Sequence, residues 1–174
     1  MDDAKRDNLN SEKVIVSKLG DERFADFKAL RLESLLKEPK AFASSYEEEI
    51  KFPDEVWKSR MGNMLFAIYK NQIVGMIGFL PRSRLKTGHV ADIFSFYVSK
   101  EYRGLGAGRE LLTESLLKIG KNQEIRKITL SVNIEMEAAI HLYTKLGFRI
   151  SGRLVKELNI NGEFYDEFVM ERLI

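Results

Sequence analysis

The run VADIFSFYV, Val90 to Val98, constrains this chain more than any other stretch, because it is β-prone and apolar on both faces, and such a strand belongs in the middle of a sheet. A glycine-rich segment follows it closely, Tyr102-Arg103-Gly104-Leu105-Gly106-Ala107-Gly108-Arg109. Leu112, Leu116 and Ile119 then recur at i, i+4 and i+7, the spacing of an amphipathic helix that ends around Gly120 to Asn122. This order of strand, loop and helix sets free N–H groups and the positive end of a helix dipole behind a loop whose glycines permit positive φ and close approach of a ligand. Phosphate oxygens suit such a place, and a pyrophosphate is its natural guest. A purely structural turn would also account for the glycines. A P-loop would require G-x-x-x-x-G-K-[ST], and no Lys-Ser or Lys-Thr follows Gly108. A Rossmann site expects G-x-G-x-x-G among repeated βαβ units, whereas the spacing here is G-x-G-x-G and the preceding strands read as antiparallel.

The rest of the chain supplies a frame for that unit. Residues 1–13 are polar and non-periodic and read as a flexible lead-in, with one domain expected over 14–174. Val14 to Leu19 suits a short strand. Phe24, Phe27, Leu32, Leu35 and Leu36 then recur at helical spacing up to Pro39, and a second helix is expected from Pro53 or Asp54, carrying Val56, Trp57 and Met61. Met64 to Lys70 and Ile73 to Leu80 read as a hairpin around Asn71-Gln72. Lys127 to Val132 reads as a strand and Met136 to Leu146 as a helix stopped by Gly147. Phe148 to Asn159 and Glu163 to Leu173 flank Asn161-Gly162, a strong hairpin signal. The expected order is β α α β β β α β α β β, an α/β (α+β) arrangement of about seven strands and four helices.

Composition excludes several chemistries. With no cysteine there is no thiolate nucleophile, disulfide or cysteine-held zinc, and a cytoplasmic location is expected. Two histidines, His89 and His141, are too few for a histidine-rich metal cluster, so no metal is expected. The 28 basic and 26 acidic residues leave a net charge of +2 and are well mixed, which gives no footprint of a nucleic-acid binder. No apolar run is long enough to span a bilayer, and no membrane partner is expected.

The stretch FYVSKEYRGLGAGRELL resembles the acetyl-CoA loop of the GNAT N-acetyltransferase superfamily, whose pattern of Arg or Gln, two residues, Gly, one residue, then Gly or Ala is met by Arg103, Gly106 and Gly108. AAIHLYTKLGFRISGR resembles the family's next helix and strand, and NGEFYDEFVMERL the last hairpin of many small bacterial members. The resemblance implies the GNAT fold, with a mixed, mostly antiparallel sheet splayed at the cofactor site. It implies acetyl-CoA as cosubstrate, with the backbone of Phe96, Tyr97 and Val98 pairing with pantetheine, and with Gly104, Leu105, Gly106, Ala107, Gly108 and Arg109 around the phosphates, assisted by Arg103. Asparagine often stands in the family where Met136 stands here, so its contact passes to Asn133 or is lost. Ser131 occupies the place of the glutamate base found in relatives that acetylate a ribosomal protein's N-terminus.

An acceptor amine must lose a proton, since a lysine-like ammonium titrates near about 10.4. Asp92 is the first candidate for the base: it interrupts an apolar strand, and histone-acetylating relatives carry a glutamate at that position. His89 is a weaker candidate. The family resemblance assigns protonation of the departing thiolate to Tyr143, and direct attack in a ternary complex follows from the lack of an activated nucleophile. By the same resemblance the acceptor, a small-molecule or peptide amine, lies near Glu47, Glu48, Glu49, Tyr165 and Asp166. A homodimer through the C-terminal strands is common in the family, although no residue here requires one. The competing reading is a non-catalytic CoA-binding sensor or interaction module.

Overall fold

The computed structural model describes residues 13–174, so the flexible lead-in expected over 1–13 lies outside the described residues apart from Lys13. Seven strands form one sheet: β1 (Ile15–Ser17), β2 (Met64–Tyr69), β3 (Gln72–Pro81), β4 (Val90–Val98), β5 (Lys127–Asn133), β6 (Arg149–Ile160) and β7 (Glu163–Leu173), in the spatial order β1-β2-β3-β4-β5-β7-β6. All neighbours are antiparallel except β4 and β5. The helices are α1 (Phe24–Lys37), α2 (Tyr46–Glu49), α3 (Asp54–Met61), α4 (Ala107–Gly120) and α5 (Glu137–Lys145). The expected count of four is corrected to five. The additional one-turn helix α2 is nucleated by a capping box, in which Ser45 Oγ accepts from Glu48 N–H and Glu48 accepts from Ser45 N–H.

The mid-sheet placement of β4 agrees with its sequence: β3 covers one edge and β5 the other. Both faces are covered too. On one side α4 and α5 bring Leu111, Leu112 and Tyr143 against Ile77, Ile128 and Met170. On the other, α1 and α3 bring Phe27 and Trp57 against Phe66 and Met76, with the Phe27 ring edge-on to both Trp57 and Phe66 at 5.5 Å. The turn at Asn161-Gly162 has positive φ at both residues, as a two-residue hairpin of right-handed twist needs. The first hairpin turns one residue earlier than expected, at Lys70-Asn71, where φ is again positive at both positions. Gly147 ends α5 at φ 88, with the Gly147 and Phe148 N–H groups donating back to Thr144 and Tyr143.

Candidate active site

Strands β4 and β5 pair only at Val90 with Lys127, Ala91 with Ile128, and Asp92 with Thr129. Beyond Asp92 they separate, and a cleft of about 1520 Å³ opens between them. A bulge in β4 begins the separation. Met76 pairs with Tyr97 and Gly78 with Phe94, so Ser95 and Phe96 together oppose Ile77, and Ser95 takes φ 52 to absorb the extra residue. Past the bulge, Ser99 N–H donates to Val74 on β3, and by strand alternation the backbone groups of Val98 and Phe96 face away from β3 into the gap. The carbonyl of Val98 is already taken by Arg103 Nε at 3.0 Å. Phe96 therefore turns both backbone groups toward the gap, and Val98 its N–H. The polar groups of Tyr97 point to β3; its phenol bonds Glu33 of α1 at 3.0 Å and ties the helix to the strand.

The glycine loop has the shape its sequence implies. Gly104 and Gly106 hold φ near 84 and 83, a Cβ at either would meet nothing within 4 Å, and no side chain caps α4 at Gly106. Glu110 N–H donates to Gly106 C=O, so the N–H groups of the first turn precede that helical bond. Such open space with uncapped donors fits a pyrophosphate. Arg109 is exposed and has no ion pair or hydrogen bond among the described residues, which leaves it available to an anion. Arg103 is committed to the chain itself through Val98 and Glu38, the latter at 2.8 Å. The Leu105 side chain packs against the core rather than lining the cleft.

Tyr143 of α5 lines the same cleft, 5% exposed, with Phe96 and Phe148 rings at 5.8 and 5.9 Å. Burial pushes its phenol up, so the group stays protonated. Asp92 also lines the cleft, but Arg82 grips it bidentately at 2.9 and 2.8 Å and Thr129 Oγ1 donates to it as well. Burial would raise that carboxyl, yet the Arg82 and Thr129 bonds prevail and hold it below the usual carboxylate range. A second carboxylate behaves in the opposite way. Glu167 of β7 is 8% exposed, lines the cleft and has no hydrogen-bond or ion-pair partner among the described residues; burial and then neighbouring Glu157 push it up. Cα pairing of Asp92 with Thr129, Ser131 with Val169 and Asn133 with Glu167 sets all six side chains on one sheet face.

The remaining expected residues are scattered. Glu47 is exposed and does not line the cleft, nor do Tyr165 and Asp166: Tyr165 bonds Glu163 and carries Lys40 over its ring, while Asp166 is held by Arg153 and Lys156. Of the glutamate run only Glu49 turns inward, into ion pairs with buried Arg31 and partly exposed Arg60. Asn133 lines a smaller neighbouring pocket, where its Oδ1 accepts from Glu135 N–H and its Nδ2 has no partner among the described residues. His89 and His141 are exposed and outside the cleft. Sequence reasoning missed Glu167 and Arg31. Alternation along β7 and the position of Arg31 one turn after Phe27, on the buried side of α1, were the available signals.

Comparison with known proteins agrees with this geometry. Over 125 residues the chain is 28% identical to the L-amino acid N-acetyltransferase AaaT of Escherichia coli, covering 69% of this chain and 76% of that protein. It is 32% identical over 91 residues to the spermidine N(1)-acetyltransferase of Vibrio cholerae, covering 52% of this chain and about half of the relative, 53%. The fold superposes on yncA of Salmonella typhimurium, solved with its cofactor acetyl-CoA, at a TM-score of 0.76 and 16% identity over 92% of this chain and 94% of that one. The model of the acetyltransferase (GNAT) family matches residues 29–148, and with the splayed strands and glycine loop in place, the chain belongs to that family.

Proposed function

We propose that this chain transfers the acetyl group of acetyl-CoA to a primary amine of a small molecule or peptide, by direct attack in a ternary complex. The observation that carries the reading is that the uncapped N-terminus of α4, the unpaired edge of β4 and the buried Tyr143 phenol all open onto one cleft. When bound, acetyl-CoA supplies an acetyl thioester activated toward amines. The loop at 104–109 and Arg109 hold the phosphates, and the free backbone groups of Phe96 and Val98 receive the pantetheine arm. As the amine nitrogen bonds to the carbonyl carbon and the carbon–sulfur bond breaks, Tyr143 Oη gives its proton to the sulfur, and the extra proton on the acylated nitrogen leaves through water to restore the phenol.

The acceptor ammonium must first shed a proton to a carboxylate or to water. Asp92 is the carboxylate singled out in the sequence; from the apex of the splay it serves as an electrostatic partner of the amine rather than as the base. Glu167 is better matched to accept the proton, because a raised carboxyl is a stronger base than one held ionised by arginine. We also place the reaction in the cytoplasm, with which a cysteine-free chain is compatible. Thermal denaturation with and without acetyl-CoA, followed by thiol release across a panel of amines, tests the reading. Stabilisation plus amine-dependent thiol release is expected; stabilisation without turnover would indicate a CoA sensor instead.

A further inference from the structure

The acceptor side of the cleft contains a charge imbalance that the acetyl transfer itself does not use. Arg31, 3% exposed on α1, donates to Glu49 through Nε at 3.0 Å and Nη2 at 2.8 Å. Arg60 of α3 donates to the same carboxylate at 2.9 Å. One buried carboxylate thus serves two guanidinium groups, and one positive charge is left over. Its second mark is an orphaned donor: Arg31 Nη1 is buried and has no hydrogen-bond partner among the described residues. Both arginines line the cleft, as does Phe42, whose ring lies 4.5 Å from the Arg31 guanidinium. A buried donor is ordinarily bonded, so the spare N–H of Arg31, beside the surplus and partly exposed cation of Arg60 in a ligand cleft, calls for an anion.

We propose that Arg31 and Arg60 form a carboxylate subsite, so that the acceptor is an amino acid or similar amine bearing a carboxylate, rather than a polyamine. The proposal rests on the acetyltransferase reading and adds the acceptor's chemistry to it. Planar guanidinium groups suit a carboxylate's two oxygens. The opposite sign lies elsewhere on the cleft wall, where Glu167 and Glu157 have no cationic partner of the Arg82 kind among the described residues and face the ammonium end of the same molecule. A zwitterion meets both charges. A polyamine, cationic at every nitrogen, would meet Arg31 and Arg60 with like charge.

The test measures kcat/KM by thiol release at saturating acetyl-CoA for the proteinogenic L-amino acids, for their carboxamides and for spermidine. At least one amino acid is expected to exceed its own carboxamide by tenfold or more, with spermidine below it, and that ratio is expected to fall toward one in Arg60→Met. Arg60 is partly exposed, and if the variant fails to fold the wild-type comparison stands alone. Carboxamides as good as the acids, or no turnover of any amino acid, overturns the proposal. Rapid acetylation of spermidine with none of the amino acids would overturn it while leaving the acetyltransferase reading intact; failure of acetyl-CoA to raise the melting temperature would end both.

Discussion

Replacing Glu49 with glutamine removes the anion at the centre of the Arg31–Glu49–Arg60 cluster while keeping the side chain's size. Glu49 is 2% exposed and accepts four guanidinium N–H bonds, two from each arginine. Burial alone would push its carboxyl up, but those bonds outweigh it and hold the group at about 2, against 4.5 for a free glutamate. At about 1.4 kcal/mol for each tenfold change in the protonation equilibrium, that drop is worth about 3 kcal/mol of folding stability. Breaking a buried ion pair from one side costs about 3–5 kcal/mol by the independent route of mutational experience. Glu49→Gln is therefore expected to lose about 3–5 kcal/mol at neutral pH, or roughly 6–20 °C in Tm. Because the folded-state carboxyl is depressed, its contribution is complete above about 4.5 and disappears as pH falls through about 2. The gap between wild type and variant should hold from neutral pH down to that upper bound and close below it. Urea unfolding read by fluorescence of Trp57, the one tryptophan, which is buried with Arg60 5.2 Å from its ring, measures both quantities. A gap under about 1 kcal/mol at neutral pH, or one that does not narrow in acid, refutes the reasoning.

Other outcomes follow from the same geometry. Tyr143→Phe should lower kcat by about 10²–10⁴-fold with little change in Tm or acetyl-CoA affinity, since the Tyr143 hydroxyl has no partner among the described residues to lose. Equal kcat in the two proteins would remove Tyr143 from the chemistry. Glu167→Gln should flatten the acidic limb of the kcat/KM pH profile, a limb placed above the ordinary glutamate range, whereas Asp92→Asn should lower the rate and leave the limb's position unchanged. Glu167→Gln should also stabilise the fold at neutral pH: a raised carboxyl costs stability as pH climbs from its unfolded toward its folded value, and glutamine carries no charge to bury. A melting temperature below wild type would contradict that. Gly106→Val forces a β-branched residue to φ 83 at the N-cap of α4 and should cost about 1–2 kcal/mol while abolishing stabilisation by acetyl-CoA, as thermal denaturation with titrated acetyl-CoA would show.

Local signals were legible in the chain itself. The apolar run at 90–98 led to a central strand, Asn161-Gly162 to a two-residue turn with positive φ, Gly147 to the end of α5, and the glycines at 104 and 106 to an open loop before α4, because each depends on backbone preferences or on periodicity within a few residues. Contacts between distant residues were not legible. The pairing of Arg82 with Asp92 and with Thr129, 47 residues away, decides that the foremost candidate base is held ionised. The register of β7 on β5 sets Glu167 in the cleft, and the packing of α1 on α2 and α3 joins Arg31, Glu49 and Arg60 across 18 and 11 residues. Sequence alone determined most of the elements and the turns between them; charge balance within the cleft, and with it the opposite behaviour of Asp92 and Glu167, was decided by tertiary structure, since electrostatic energy depends on distance in space and on burial, neither of which the order of residues contains.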